Sequence, residues 1–145
     1  MSRLDEVVDT FEFLGDWDQR YQYLIELGEL LPSMPDALKI ENNKVKGCMS
    51  QVWTSAYADP DDTSLIRYFG DCDTSIIKGV LALLIHLVSG KSIEAVESLD
   101  VDDFFRRLKL DEHLSPNRHV GVYAIVQLMK QQARRLSFNT GQRVA

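Results

Sequence analysis

The run from Ile76 to Val88 constrains this chain more than any other: Ile76, Ile77, Val80, Leu81, Leu83, Leu84, Ile85, Leu87 and Val88 leave almost no polar face. A helix with apolar residues all round is stable in water only if it is covered on most sides. The rest of the chain must therefore wrap it, and this segment is expected to be the central helix of the fold. It is interrupted by His86 and far too short to span a bilayer. A chain of 145 residues suits one domain burying about two thirds of its unfolded surface. We expect a single domain over 1–145, with a core from about 3 to 137 and a frayed tail over 138–145.

The flanking segments supply the cover. Leu4, Val7, Val8, Phe11 and Leu14 recur at helical spacing, with Ser2 before them as a cap and Gly15 closing the segment. Asp16 caps a second helix turning Trp17, Tyr21, Leu24, Ile25, Leu27 and Leu31 inwards until Pro32 and Pro35 stop it. Residues 32 to 44 read as a loop. From Gly47 to Tyr57 the period changes to two, which predicts a strand with Cys48 at its start. Asp59-Pro60-Asp61-Asp62 is a turn, and Leu65 to Phe69 suits the returning antiparallel strand. Asp73 is placed to cap the central helix. Ser92 and Asp100 cap two short helices over 93–98 and 101–108, and Ser115-Pro116 opens the last helix, with Val122, Val126, Met129, Ala133 and Leu136 on one face. The sum is an α+β fold: one compact domain in which helices cover one face of a small antiparallel sheet.

Charge and composition exclude several functions. A net charge of −6 and a pI near 5.0 repel phosphates, and no basic stripe interleaved with aromatics offsets this, so nucleic acid is excluded as a partner. Met1 to Glu6 turns acidic at once and lacks the apolar core of a signal peptide. The expectation is a cytoplasmic protein with no membrane partner, its two cysteines reduced. Cys48, Cys72, His86, His113 and His119 are possible metal ligands, but none forms the close pairs typical of structural zinc. No metal site is expected, and His86, on the apolar segment, is expected to be a hydrogen-bonded core histidine.

The chemistry centres on Cys48, in Lys44-Val45-Lys46-Gly47-Cys48-Met49-Ser50-Gln51-Val52-Trp53. Gly47 removes a side chain beside the sulfur and permits backbone angles closed to other residues. Lys44 and Lys46 bring positive charge, which favours the attacking thiolate. Ser50 and Gln51 are placed to donate hydrogen bonds to a sulfur anion. The alternative is a small thiol filling space in a core. Cys72 lies between Asp71 and Asp73, whose carboxylates raise a thiol's pKa, so it is expected to be the less reactive of the two.

The stretch Gly47-Cys48-Met49-Ser50-Gln51-Val52-Trp53 resembles the signature of the SufE family, the sulfur acceptors that work beside SufS-type cysteine desulfurases in iron–sulfur cluster assembly. Three more segments agree in order: Leu24-Ile25-Glu26-Leu27-Gly28 with Leu31-Pro32, Gly70-Asp71-Cys72-Asp73 with Ile77-Lys78-Gly79, and Leu114-Ser115-Pro116-Asn117-Arg118 with Gly121. The resemblance implies a SufE/IscU-like fold and a persulfide carried on Cys48, taken from the desulfurase and passed on towards a SufBCD-type scaffold. It implies an accessory acceptor and activator rather than an enzyme, with no cofactor of its own, since the pyridoxal phosphate belongs to the desulfurase. In the family's isolated form the cysteine loop turns towards a sheltered cavity. Arg118 matches an arginine of the last-helix start, which either contacts the desulfurase, steadies the reactive loop, or is simply an exposed cation.

Cys72 departs from the family pattern, standing where relatives often carry serine. It reads as a conservative substitution in a turn, with a second reading as a resolving or disulfide-forming thiol. Three other functions stay open: a CsdE-like acceptor serving another desulfurase and thiolation pathway, an IscU-type cluster scaffold, and a non-catalytic interaction module. A scaffold needs several thiolates in one place, and two cysteines speak against it.

Overall fold

The computed structural model describes residues 3–144, with side chains described up to Leu136; the predicted cap Ser2 lies outside them. Two helices, α1 (Arg3–Leu14) and α2 (Trp17–Glu29), lead through two 3-10 turns into the hairpin β1 (Val52–Ala58) and β2 (Leu65–Cys72). The central helix α3 (Ser75–Val88) follows, then a two-residue strand β3 (Lys91–Ser92), the short helices α4 (Ile93–Glu97), α5 (Val101–Leu108) and α6 (Leu110–His113), and the long α7 (Pro116–Val144). The sheet order is β1-β2-β3, antiparallel throughout. This is the α+β architecture expected from the sequence.

The apolar segment is the centre of the core: Ile77, Val80, Leu81, Leu83, Leu84, Ile85 and Val88 are all buried. Helix α3 packs on β2, α7 packs on β1, and α2 lies against α3. The α2–α3 crossing is closer than side chains allow, because a Cβ on Gly79 would fall 2.1 Å from the Leu24 carbonyl oxygen. His86 corrects its expectation: it is exposed, on the last turn of α3, and the Arg3 guanidinium donates to its carbonyl and to that of Ser89, both at 2.6 Å. Leu84, Ile85 and Val88 take the core-facing positions of that turn, which leaves position 86 on the outer face. Arg3 thereby satisfies carbonyls that the helix leaves unpaired.

Strand β1 starts at Val52, not at Gly47. From there Val52 and Thr54 turn fully inwards. Thr54 and Gln132 exchange two bonds, Thr54 Oγ1 to Gln132 Oε1 at 3.0 Å and Gln132 Nε2 to the Thr54 carbonyl at 2.7 Å. That buried pair fixes α7 across the sheet, as does the Tyr68 hydroxyl donating to the Met129 carbonyl at 2.6 Å. At the hairpin turn Asp59 accepts the amides of Asp61 and Asp62 and the Arg67 guanidinium at 2.5 Å. Strand β2 continues past the predicted end at Phe69 to Cys72, so Cys72 is the buried last residue of a strand and not part of a turn. Its register partner Val52 extends the ladder that far.

Other boundaries follow from local chemistry. Helix α2 stops at Glu29, before Leu31, because Pro32 disfavours helical angles in the residue preceding it. Ser92 and Asp100 cap α4 and α5 as expected, accepting from the amides of Ala95 and Asp103. Strand β3 and helix α6 are too short to show any period. The backbone of α7 is helical through Val144. Among the described residues no helix is long and apolar enough to cross a membrane.

Candidate functional site

Cys48 lies in the loop between Lys44 and β1, four residues short of the strand. Gly47 breaks the extended chain with φ of +85°, a left-handed conformation that disfavours other side chains. The loop is pinned at both ends. The Val45 amide donates to the Val52 carbonyl at 2.8 Å, and Gln51 and Asp73 exchange a reciprocal pair: Gln51 N–H to Asp73 Oδ1 at 3.0 Å and Asp73 N–H to the Gln51 carbonyl at 3.1 Å. Asp73 is therefore a latch between the loop and the start of α3, not the helix cap. Thr74 occupies the cap position, and its hydroxyl is 2.7 Å from that of Ser50.

Between those pins Cys48 is half-buried while Met49, beside it, is 83% exposed. The sulfur faces a cavity of about 240 Å³ lined by Cys48, Met49, Ser50, Thr74, Ile77, Ser115, Asn117 and Arg118. Thr74 and Ile77 are the cap and first turn of α3; Ser115, Asn117 and Arg118 are the cap and first turn of α7. The N-terminal ends of two helices thus border the cavity that holds the thiol. Ser115 caps α7, accepting the Arg118 amide at 3.4 Å. Gly121, further along α7, also lies against the thiol: a Cβ there would meet Cys48 Sγ at 2.8 Å.

The family model for the SufE Fe–S metabolism associated domain matches residues 5–133. The chain belongs to the SufE family. An uncharacterized SufE-like protein of Rhizobium meliloti is 38% identical over 134 residues, covering 92% of this chain and 96% of the relative. A second, from Rhizobium etli, is 37% identical over 135 residues, with 92% and 91% coverage. The solution structure of a hypothetical protein from Thermus thermophilus superposes with a TM-score of 0.77 at 22% identity, over 95% of this chain and 99% of that one, and shows the same fold.

Of the residues singled out from sequence, this SufE-family fold gathers Cys48, Ser50 and Arg118 around one cavity, places Gly47 and Gln51 in the loop that carries the thiol, and sets Asp73, between β2 and α3, as its latch. Ser50 is bonded to Thr74, and the Gln51 amide is taken by Asp73. The positive charge expected beside the sulfur is partly spent elsewhere: Lys46 pairs with Glu41. Thr74 was not singled out from sequence, and Ile77, Asn117 and Gly121 stood in the matched segments without a place at the site. Gly121 carried a signal, since an isolated glycine inside a helical pattern that needs no turn usually has a packing reason.

Cys72 is a different kind of thiol. Burial pushes it up to about 11; a hydrogen bond from the Thr74 amide opposes this, and Asp73, Cys48 and Asp71 add smaller raising contributions. Burial, not the neighbouring carboxylates, therefore dominates. Asp71 is itself bridged by Lys39 at 2.7 Å and Lys78 at 3.4 Å. Two of the histidines are engaged with aromatic rings: His113 stacks on Trp17 and His119 on Phe105. Among the described residues no three potential metal-ligating side chains come together.

Proposed function

We propose that this chain is a sulfur acceptor that takes persulfide sulfur from a SufS-type cysteine desulfurase onto Cys48 and relays it to iron–sulfur cluster assembly. The observation that supports this best is the seat of Cys48, a thiol at the meeting of two helix N-termini, on a pinned loop, in a chain of the SufE family. In the transfer the Cys48 thiolate attacks the outer sulfur of the desulfurase persulfide. One S–S bond forms as another breaks, and the desulfurase thiolate leaves; no external oxidant or reductant enters. The new persulfide lies in the cavity bordered by the N-terminal ends of α3 and α7.

The acceptor needs no cofactor of its own in this reading; the pyridoxal phosphate is the desulfurase's. Exposed Met49 marks the side from which a partner reaches the loop. Of the candidate residues, Cys48 exchanges sulfur, Gly47 and Asp73 shape and hold the loop, Ser50 and Gln51 link it to α3, and Arg118 borders the cavity. The buried, high-pKa Cys72 does not supply the second accessible thiolate a cluster scaffold needs, which favours the acceptor. The downstream recipient in this reading is a SufBCD-type complex, and the reaction is cytoplasmic.

Intact mass spectrometry after incubation with a SufS-type desulfurase and cysteine tests it. The expected result is an adduct of about one sulfur mass that persists in Cys72→Ser, vanishes in Cys48→Ser and accompanies faster desulfurase turnover. No adduct and no stimulation would refute the acceptor reading. Stimulation only with a desulfurase of another thiolation pathway would move the chain to the CsdE-like alternative.

A further inference from the structure

Gly121 sits in the second turn of α7, buried and with ordinary right-handed helical geometry, unlike the positive-φ glycines Gly15, Gly47 and Gly90. Nothing in its backbone calls for glycine, and glycine is among the least favourable residues inside a helix. What the position does require is space. The three atoms nearest an added Cβ all belong to Cys48: Sγ at 2.8 Å, Cβ at 3.7 Å and Cα at 4.0 Å. The missing methyl group is a recess, and the sulfur of Cys48 fills it.

We propose that Gly121 is a positioning residue for the sulfur-transfer reaction: its bare backbone is the seat that holds the resting Cys48 thiol inward, and it sets the balance between seated and exposed thiol. This rests on the acceptor reading above. The obstructing atom is the end of a side chain on a loop, so a methyl at 121 displaces the sulfur without displacing a helix. The loop permits this because it is pinned at Val45 and Gln51, outside the stretch that carries Cys48. The unseated thiol moves to the side where Met49 is already exposed.

The test is the rate at which iodoacetamide alkylates Cys48 in the folded protein, compared between Gly121 and Gly121→Ala in a Cys72→Ser background, with thermal unfolding recorded on the same samples. The expected result is alkylation faster by roughly tenfold, the size of change that overpacking one methyl implies, with a thermal midpoint no lower than about the parent's because alanine favours the helix. Unchanged or slower alkylation would overturn the proposal. Should Gly121→Ala unfold, the same substitution is made with Cys48→Ala. The proposal requires that removing the sulfur restores folding and lets alanine raise the midpoint; equal destabilisation with and without the sulfur overturns it. Persulfide loading of the parent chain by the desulfurase is read separately and reports on the acceptor reading alone.

Discussion

Two places in this fold are built by leaving out a side chain, and they differ in what stands opposite. At the α2–α3 crossing a Cβ on Gly79 meets the backbone of Leu24, with its carbonyl oxygen 2.1 Å away, and Gly28 lies reciprocally against the amide of Gly79. At the site a Cβ on Gly121 meets a sulfur 2.8 Å away, the tip of a side chain on a loop. The first contact joins two rigid cylinders, neither of which yields without moving a whole helix. The second joins a helix to a segment that can swing. The same device, absence of a methyl, makes a permanent crossing in one region and a releasable seat in the other.

Gly79→Ala separates the two most sharply. Overlap with backbone on this scale is expected to destabilise the fold by about 3 kcal/mol or more, measured by urea unfolding, while alkylation of Cys48 in the molecules that remain folded stays at the parent rate. An unchanged urea midpoint would remove the distinction between the two contacts.

Asp73→Ala acts on the loop from its other side. It removes the acceptor for the Gln51 amide and for the Thr74 hydroxyl, so a loss of about 1 kcal/mol is expected. Alkylation of Cys48 should quicken, because half of the reciprocal pair that pins the loop is gone. A stability loss without faster alkylation would show that the latch serves α3 and not the thiol.

The effect of Cys72 is confined to alkaline pH. Its folded-state pKa is raised from 9.0 to about 11, so between those values the folded chain holds a proton that the unfolded chain has released. Stability from this group is fully present below pH 9, falls as pH rises through that window, and is lost above 11. Replacing it by serine should flatten the alkaline limb of the stability curve and leave the limb below pH 9 unchanged, as followed by thermal midpoints across pH. An identical alkaline limb in Cys72→Ser would refute the burial argument.

Local chemistry was legible wherever one residue acts on its neighbours in sequence. The caps Asp16, Ser92, Asp100 and Ser115 bond where they were expected, and the hairpin turn closes around Asp59. Asp73 was misread for a physical reason. A carboxylate just before a helix looks like a cap, but the Gln51 amide, distant in sequence, reaches it when β1 pairs with β2, and the capping position passes to Thr74. Cys72 was misread as a turn residue because a strand's end is fixed by the partner it pairs with, here Val52, and not by its own residue types.

By itself the sequence determined that a helix apolar on nearly every side must lie at the centre, that a hairpin follows the cysteine loop, and that Cys48 is the thiol to examine; periodicity, turn residues and the family motif are all local properties of the chain. Only the tertiary structure decided what surrounds that thiol. The first turns of α3 and α7 come from distant parts of the chain, and they meet at Cys48 because burial of Ile77, Val80 and Leu84 packs both helices beneath the sheet. Gly121 has no neighbour in sequence that explains it. Its role exists only once the loop is laid against α7 and the sulfur has somewhere to go.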